Sequence, residues 1–292
     1  MTDLLSVGDC NPDLVLTGGD LVPAFGQREQ LVDRAVLTIG GSAAIMACGA
    51  ARLGLETALI AAVGGDALGD YVVGAVSDRG VDVSGVRRTD AATGITVILS
   101  RGDDRAILTA SGAIAALTPD AVTTGLLARV RHLHIASYFL LDGLRHALRA
   151  LVAAAREAGV TVSLDPQDDP AGRWGSGLPE LLPHLDLLFV NEQESAALDT
   201  SACPLVVVKR GRHGAAARTS GREASHPGVR VEALDATGAG DSFDAGFLAA
   251  WLGGAEIGEA LALACACGAL STRALGGTDA QPTRAEAEAV LS

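Results

Sequence analysis

A run of small residues between two aspartates is the part of the sequence best suited to chemistry. It reads Asp235-Ala236-Thr237-Gly238-Ala239-Gly240-Asp241 and precedes an apolar helical pattern from Ser242 to Leu252. Small residues let backbone N–H groups approach an anion closely, and the start of a helix adds a partial positive charge. Asp241 would lie in the first helical turn, where a carboxylate can accept a proton from a hydroxyl group that attacks a bound phosphoryl group. The alternative is a plain turn followed by a favourably placed acidic residue.

Three other motifs combine polar and small residues after apolar strand patterns. Asn191 and Glu194 have the spacing of a helix cap and its partner acid, which also leaves two polar groups at a strand end. The only lysine of the chain, Lys209, ends another strand pattern, and Asn11 and Asp13 follow the first one. Each motif could bind a ligand, or its residues could have only a structural role, such as a helix cap or an ordinary strand end.

Charge and composition exclude several classes of protein. The 292 residues include 22 basic and 35 acidic side chains, a net charge of −13, which argues against binding to nucleic acid or to an anionic membrane through bulk charge. No apolar run approaches the roughly 20 residues that a membrane span needs, and Met1 to Gly8 does not resemble a secretory signal. We therefore expect a cytoplasmic protein. The five scattered cysteines fit reduced, buried thiols better than a disulfide framework.

The elements that must position these residues fall into two groups. From about Leu117 onward, near-continuous apolar strand patterns alternate with helical ones, which predicts an α/β fold with a mostly parallel sheet covered on both faces. The predicted strands are 131–137, 160–165, 185–190 and 205–208, and the predicted helices are 144–158, one after Gly240, and 255 to about 272. Earlier strand patterns at 4–7, 14–17, 35–39, 94–100 and 105–109 do not fit that alternation. They predict a small separate sheet, with a hairpin turn at 101–104.

The motifs occur in the order found in the ribokinase family, also called the PfkB carbohydrate kinases, and the chain resembles that family over nearly its whole length. Asp235 to Asp241 resembles the C-terminal signature, with Ala236 in place of the usual threonine. Gly40-Gly41 and the Ala-rich helix that ends before Gly54 resemble the N-terminal signature. Asn191 to Glu194 matches the N-x-x-E motif, and Val206 to Gly211, with Gly214 beyond, resembles the nucleotide-binding strand. The resemblance implies a three-layer α/β/α sandwich formed by one domain, residues 1–292, with a small β-sheet lid from about 13–40 and 86–112.

The resemblance also implies roles for individual residues on the nucleotide side. Asp241 would be the catalytic base, and Gly238, Ala239 and Gly240 would form the anion hole. The nucleotide would be bound by residues from three motifs, Asn191, Lys209, Gly211, Gly214, Gly238 and Gly240. Asn191 and Glu194 would help to place Mg²⁺ through water, because Mg²⁺ gives up its water ligands reluctantly. Asp235 and Thr237 match positions that bind a monovalent cation in many members, which leaves K⁺ binding by this chain open.

On the acceptor side, the implied contacts are Asn11, Asp13, Gly40, Gly41, Arg105 and Tyr138. Ile45 stands where the family usually has asparagine, and an isoleucine cannot donate a hydrogen bond to a sugar hydroxyl. The acceptor would therefore be less hydroxylated on that side or carry an apolar group there. Arg105 is equally compatible with a solvated hairpin residue, and Tyr138 with an aromatic residue at the rim.

These features together predict an ATP-dependent kinase that phosphorylates a hydroxymethyl group of a sugar, with Mg²⁺ as cofactor. The resemblance also implies a homodimer, because the lid often forms a dimer contact in this family. One alternative is a nucleoside kinase with the same catalytic residues, which Ile45 favours and the scarcity of aromatic residues disfavours. The other is a catalytically silent sugar-binding sensor.

Overall fold

The computed structural model describes residues 1–101 and 104–291, so Gly102 and Asp103 of the predicted hairpin turn lie outside the described residues. The described part contains fourteen strands. In chain order they are β1 (Thr2–Val7), β2 (Asn11–Thr17), β3 (Arg34–Gly40), β4 (Thr57–Ile60), β5 (Ala62–Gly64), β6 (Arg87–Thr89), β7 (Ile95–Arg101), β8 (Asp104–Ala110), β9 (Val130–Ala136), β10 (Thr161–Asp165), β11 (Leu187–Asn191), β12 (Leu205–Lys209), β13 (Ala215–Thr219) and β14 (Arg222–His226).

Ten α-helices accompany these strands within the described residues. They are α1 (Ser42–Arg52), α2 (Ala67–Ser77), α3 (Thr124–Leu127), α4 (Asp142–Arg145), α5 (Leu148–Glu157), α6 (Leu178–Leu181), α7 (Glu192–Ala197), α8 (Ala239–Trp251), α9 (Ile257–Ser271) and α10 (Arg284–Ala289). None of these helices combines the length and the apolar character needed to span a bilayer.

The main sheet has eight strands in the order β14-β13-β12-β11-β10-β9-β1-β4. The six strands from β12 to β4 pair in parallel, whereas β13 and β14 form an antiparallel hairpin at one edge. Successive side chains of a strand point to opposite faces, so buried residues on both faces explain why these strands are almost continuously apolar.

Helices cover both faces of this sheet and form two separate hydrophobic cores. On one face, Leu4 and Phe189 pack with Met46 of α1 and Phe247 of α8. On the other face, alternate strand residues such as Leu133 pack with α5 and its neighbours. The three layers confirm the predicted α/β/α architecture with a mostly parallel sheet.

Strands β2, β3, β7 and β8 form a second sheet in the order β3-β2-β7-β8, called the small sheet below. The strand at 4–7 was also expected in the small sheet, but β1 pairs in parallel with β9 and β4 inside the main sheet, where its apolar residues are buried on both faces.

The strand register of the small sheet places Leu37, Leu14, Val97 and Leu108 in one row across the sheet. A parallel row, two residues along, contains Ala35, Leu16, Leu99 and Ala106. The opposite face contains Asp13, Thr96 and Thr109. The small sheet therefore has one apolar face and one partly polar face.

Some elements differ from the sequence prediction. The helix expected from Leu144 to Ala158 is divided at His146 and Ala147 into α4 and α5, and Leu144 and Leu148 on either side of the break are both buried. The edge strands β13 and β14 were not predicted, because Ala215–Thr219 and Arg222–His226 lack the dense apolar pattern of the central strands. The predicted ends of α1 and α5 are confirmed, since Gly54 and Gly159 follow these helices with positive φ.

Candidate active site

The carboxyl ends of the parallel strands bring several polar side chains to one edge of the main sheet. Asp9 follows β1, Asp165 ends β10, Asn191 ends β11 and Lys209 ends β12. Asn191 and Lys209 are register partners in neighbouring strands. Ligands of open parallel sheets bind outside this edge, so the topology directs the site here.

The turn before α8 separates two cavities. The first, here called the small-residue cavity, has a volume of about 550 Å³ and is lined by Gly211, Gly214, Ala239 and Gly240 together with Cys265 and Ala269 of α9. The second, the carboxylate cavity, has a volume of about 620 Å³ and is lined by Asp9, Asn11, Asp13 and Asp241 among others. Because Gly240 faces one cavity and Asp241 the other, two ligands bound side by side would meet at the start of α8.

Gly238 gives the turn before α8 its sharpness. It is the N-cap residue, and its φ of 69° lies in the left-handed region that glycine adopts without strain. A Cβ at this position would lie 2.6 Å from Cα of Gly277, so a larger residue would also collide with the neighbouring loop. Amides of the first helical turn have no carbonyl partner within the helix. The geometry is therefore suited to hold an anion, as the sequence predicted.

Asp241 is buried beside this turn, with only 7% of its surface exposed. Its Oδ1 accepts a hydrogen bond from Nε2 of Gln167 at 3.0 Å. Burial raises the pKa of Asp241 to about 8, the charge of Asp165 adds to this effect, and the Lys209 ammonium opposes it. A carboxyl group with a pKa near neutral pH is suited to act as a general base.

Lys209 is part of a buried ion cluster. It lines the small-residue cavity, and its Nζ bonds to Asp165 and lies 3.3 Å from the Asp244 carboxylate of α8. Burial disfavours the charged form of Asp165, yet the ammonium outweighs that effect and lowers the pKa of Asp165. A Cβ on Gly240 would lie 3.3 Å from Nζ, so the ammonium sits directly beneath the first turn of α8.

Asn191 and Glu194 form a capping box at the start of α7. The amide N–H of Glu194 donates to Oδ1 of Asn191 at 2.9 Å, and the amide N–H of Asn191 donates to Oε2 of Glu194 at 2.8 Å. Burial raises the pKa of Glu194 to about 7, with a contribution from Asp165. Burial disfavours the charged form of Lys209, but Asp165, Asp244 and Glu194 all raise its pKa, so these three acidic groups interact with the same ammonium.

No group of three or more His, Cys, Asp or Glu side chains among the described residues has metal-binding geometry. Direct ligation by a closed set of protein side chains is thus not what the described residues offer. The capping box engages both carboxylate oxygens of Glu194, because Oε2 accepts from the Asn191 amide at 2.8 Å and Oε1 accepts from Nδ2 of Asn191 at 2.6 Å.

Asn11 and Asp13 of β2 lie in the carboxylate cavity. Nδ2 of Asn11 donates to Oδ1 of Asp13 at 3.1 Å and to Oγ1 of Thr96 at 3.2 Å. Burial raises the pKa of Asp13 to about 7, and the nearby charge of Asp9 adds to the shift. A Cβ on Gly40 would lie 1.8 Å from Oδ1 of Asp13. The last position of β3 therefore requires glycine, because any side chain there would collide with the Asp13 carboxylate.

Gly41 and Ile45 belong to the start of α1. Gly41 is the N-cap residue with a φ of 84°, and it lines the carboxylate cavity. Ile45 lines the same cavity, and its side chain packs against Gly238 and Gly277. The isoleucine therefore supplies an apolar wall next to the turn before α8.

Arg105 and Tyr138 occupy different surroundings. Arg105 of β8 lines the carboxylate cavity and is the only cationic side chain among the described residues that do so. Tyr138 is buried, and its hydroxyl donates to the carbonyl oxygen of Ser176 at 2.7 Å. It does not line either of the two cavities described above. Its bond to the chain explains its burial without an acceptor molecule.

Asp235 and Thr237 hold two loops together. Oδ1 of Asp235 accepts from the Thr237 amide at 3.0 Å and from the Thr237 hydroxyl at 2.8 Å. Oδ2 accepts from the Gly276 amide at 2.8 Å. Both carboxylate oxygens are thus engaged within the chain.

Three residues of the site were not predicted from the sequence: Asp9, Ser42 and Gln167. Oδ1 of Asp9 accepts from the Ala43 amide at 3.0 Å, which joins the end of β1 to the start of α1. Asp9 directly follows the first strand pattern, so its position was a usable signal. Gln167 also follows a predicted strand, 160–165, but its contact with Asp241 depends on the backbone of an irregular loop.

Comparison with known proteins agrees with this geometry. Residues 1–284 match the model of the "pfkB family carbohydrate kinase". The chain is 34% identical to an ATP-dependent ribose-1-phosphate kinase of Halopiger xanaduensis, with 100% of this chain and 99% of the relative aligned. It is 29% identical to a ribokinase of Haemophilus influenzae over 97% of this chain and 96% of the relative.

A solved structure shows the same fold. The ribokinase of Arabidopsis thaliana in complex with ribose and ATP has a TM-score of 0.84 and 24% identity, with 100% of this chain and 99% of that one covered. These findings confirm the predicted family, the predicted ATP-dependent sugar kinase activity and the expected use of ATP. The chain belongs to the pfkB family of carbohydrate kinases, and it is an ATP-dependent sugar kinase.

Proposed function

We propose that this kinase transfers the γ-phosphoryl group of ATP to the hydroxymethyl group of ribose 1-phosphate or a closely similar phosphorylated pentose. The observation that carries the proposal is a carboxylate cavity with a single lining cation, Arg105, across from Asp241 and its turn. Aspartates suit the hydroxyl groups of a sugar, and a guanidinium suits a phosphate group. The 34% identity to the ribose-1-phosphate kinase of Halopiger xanaduensis supports the same acceptor.

The proposed roles at the reacting atoms follow from the two cavities. ATP would occupy the small-residue cavity, with its γ-phosphoryl group at the turn formed by Gly238, Ala239 and Gly240. Asp241 would accept the proton of the attacking hydroxyl as the new O–P bond forms and the bond to ADP breaks. Mg²⁺, when bound near Glu194, would neutralise charge on the phosphate oxygens.

The acceptor would be oriented by the polar face of the small sheet. Asp13 and Asn11 would bind hydroxyl groups, and Gly41 would allow the backbone to approach the sugar. Ile45 would contact a carbon-rich edge of the acceptor. We propose that the small sheet acts as a lid, which excludes water that would otherwise take the phosphoryl group.

A nucleoside acceptor is less well supported. A nucleobase would be expected to stack on an aromatic ring, and the described residues that line the carboxylate cavity include no Phe, Trp or Tyr. Tyr138, the nearest candidate in the sequence, is engaged with Ser176.

The monovalent cation suggested by the resemblance would lie near Asp235 and Thr237. Both Asp235 oxygens already accept hydrogen bonds from the chain. We therefore propose that K⁺ adjusts the conformation of the loop at Gly276 and that the loop forms without it. Turnover at fixed ionic strength with KCl replaced by tetramethylammonium chloride tests this proposal: we expect a change of severalfold, and loss of all activity would contradict it.

We also propose that the chain forms a homodimer through the apolar face of the small sheet. Leu37 is 40% exposed and Leu108 is 60% exposed, although both lie in a row of apolar side chains. An apolar sheet face that remains uncovered in one chain is suited to a second copy of the same chain.

The acceptor is tested by ADP release with ATP and a panel of ribose 1-phosphate, ribose, fructose and adenosine. We expect the highest kcat/KM with ribose 1-phosphate. Arg105→Ala should raise KM for ribose 1-phosphate by about 10- to 100-fold, the usual value of a charge-assisted hydrogen bond, and change KM for ribose little. The matched control is Arg101→Ala, since Arg101 lies in the same sheet but outside the carboxylate cavity. A preference for ribose or adenosine over ribose 1-phosphate would contradict the proposal.

A further inference from the structure

No individual role was predicted from the sequence for the side chain of Gln167, although it contacts Asp241. Its Nε2 donates to Oδ1 of Asp241 at 3.0 Å, across 74 residues of sequence. It also lines the carboxylate cavity. The contact joins an irregular loop after β10 to the first turn of α8.

The backbone at Gln167 is in an unfavourable conformation. Its φ is 57°, in the left-handed region. Residues other than Gly, Asn and Asp are uncommon in this region. Such a conformation persists only when the surrounding structure enforces it, and it tends to occur at functional sites. The strain indicates that the position of this side chain is specified by its surroundings.

The loop around Gln167 is built to enforce that position. The Gln167 amide donates to Oδ1 of Asp165 at 3.1 Å. Two residues further along, Asp169 accepts from the amides of Ala171, Arg173 and Trp174 at 2.8 to 2.9 Å. These bonds close the loop on itself, so Gln167 is presented from a fixed frame rather than from a free segment.

The charges around Asp241 favour an amide rather than a charged donor or an acid at this position. The charged groups that face Asp241 or share its cavity come from every neighbouring element: Asp9 after β1, Asp13 on β2, Arg105 on β8, Asp165 on β10, Asp168 in the Gln167 loop, Lys209 on β12 and Asp244 on α8 itself. Ser42 at the start of α1 lowers the pKa of Asp241 slightly, against the larger effect of burial. Carboxylates outnumber cations here, and a neutral amide stabilises a carboxylate without adding another charge.

We propose that Gln167 is a positioning residue for phosphoryl transfer, which fixes the orientation of the Asp241 carboxylate and favours its ionised form. This inference rests on the proposed role of Asp241 as the proton acceptor. The amide occupies one carboxylate oxygen and restricts rotation of the group, so that the carboxylate is already oriented when the acceptor hydroxyl arrives.

Two substitutions separate the hydrogen bond from the backbone conformation. Gln167→Met keeps the length and the unbranched shape of the side chain but removes the donor. Gln167→Asn keeps an amide and adopts the left-handed region more readily, but it is one methylene too short to keep the 3.0 Å bond. We expect both variants to lose function in the same way, while Gln167→Asn is at least as stable as the wild type.

The readout is the pH dependence of kcat/KM for the acceptor, taken as ribose 1-phosphate or as whichever sugar of the panel the wild type phosphorylates best. Loss of the donor should shift the acidic limb upward by roughly half to one pH unit and lower kcat at pH 7 by about 3- to 10-fold, because one hydrogen bond contributes about that much. The Kd for ATP, measured by equilibrium binding, should stay within about twofold of the wild type.

The outcomes distinguish this inference from the proposed function. If Asp241→Asn abolishes turnover while Gln167→Met keeps the wild-type pH profile and kcat, the positioning role of Gln167 is wrong and the role of Asp241 stands. Wild-type kinetics in Gln167→Asn alone would show that backbone conformation, not the hydrogen bond, is what matters, and would also overturn the proposal. Retained turnover in Asp241→Asn would instead contradict the proposed function itself.

Discussion

The buried carboxyl group of Asp241, the proposed proton acceptor, also lowers the stability of the folded chain when it is ionised. A buried carboxyl group destabilises the folded chain whenever it is charged, and its pKa of about 8 compared with 3.8 for an ordinary aspartate reflects that effect. Because the folded pKa is the higher one, the stabilising contribution is full only below pH 3.8 and is lost as the pH rises through 8. Shifted pKa values of this kind are common among the titratable groups of active sites.

We therefore predict that Asp241→Asn is more stable than the wild type at alkaline pH. Asparagine is neutral at every pH, and its Oδ1 can still accept the Gln167 hydrogen bond. The melting temperature of the variant should exceed that of the wild type by at least about 2 °C at pH 9, and the difference should shrink toward pH 4. An equal or lower melting temperature at pH 9 would show that the charge of Asp241 is not a burden on the fold.

At the level of single residues, the sequence predicted those whose position follows from a strand end or a helix start. Asp13, Asn191 and Asp241 are of this kind. Gln167 was missed, because its contact with Asp241 depends on a left-handed φ within a loop, which residue types alone do not reveal.

At the level of secondary-structure elements, the ion cluster at Lys209 connects the ends of two strands to the start of α8. The ammonium links β12 to Asp165 of β10 and to Asp244 of α8, and the side chains of both aspartates are only 1% exposed. Removing one partner of a buried pair leaves an uncompensated charge, which commonly destabilises by about 3–5 kcal/mol. The cluster therefore fixes the first turn of α8, and with it the turn before α8, relative to β10 and β12.

Lys209→Met should accordingly lower the free energy of unfolding by about 3–5 kcal/mol, measured by denaturant titration. Adding Asp244→Asn to this variant should recover part of the loss, because one of the two unpaired charges disappears. The control is Arg284→Met, which breaks an exposed i, i+4 ion pair with Glu288 and should change stability by less than about 1 kcal/mol. A Lys209→Met variant as stable as the control would refute a structural role for the cluster.

The strands and helices were largely predictable, because a parallel sheet covered on both faces requires continuous apolar strands. The capping boxes and the glycines after α1 and α5 gave the helix ends. The edge hairpin β13–β14 was not predictable in the same way, since edge strands are only partly buried and their composition resembles that of loops. The ion cluster also escaped prediction, because Asp165 and Lys209 are 44 residues apart in sequence.

On the scale of the whole molecule, the small sheet presents two contrasting faces. The face toward the carboxylate cavity contains polar and apolar side chains, including Asp13, Thr96 and Ile98. The outward rows are entirely apolar, in a chain whose net charge is −13. The sequence predicted the small sheet but not this contrast, because the rows become visible only when the register of four strands is known.

Leu108→Glu should convert the proposed homodimer into a monomer, measured by size-exclusion chromatography with light scattering. A charge at the end of the apolar row would have to be buried without a partner in the dimer. The control is Val290→Glu, since Val290 is 43% exposed and lies after α10, outside the small sheet. A monomeric wild type, or a Leu108→Glu variant that stays dimeric, would contradict the proposed interface.

The central claim is that phosphoryl transfer takes place at the turn between the two cavities, with Asp241 as the proton acceptor. The most direct test is the rate of ADP formation by Asp241→Asn with ATP and ribose 1-phosphate, or with the best sugar of the panel, alongside the Kd for ATP. We predict that kcat falls by about 10²- to 10⁴-fold, the usual contribution of a positioned general base, while ATP binds as tightly as to the wild type. Turnover within about threefold of the wild-type value would contradict the account.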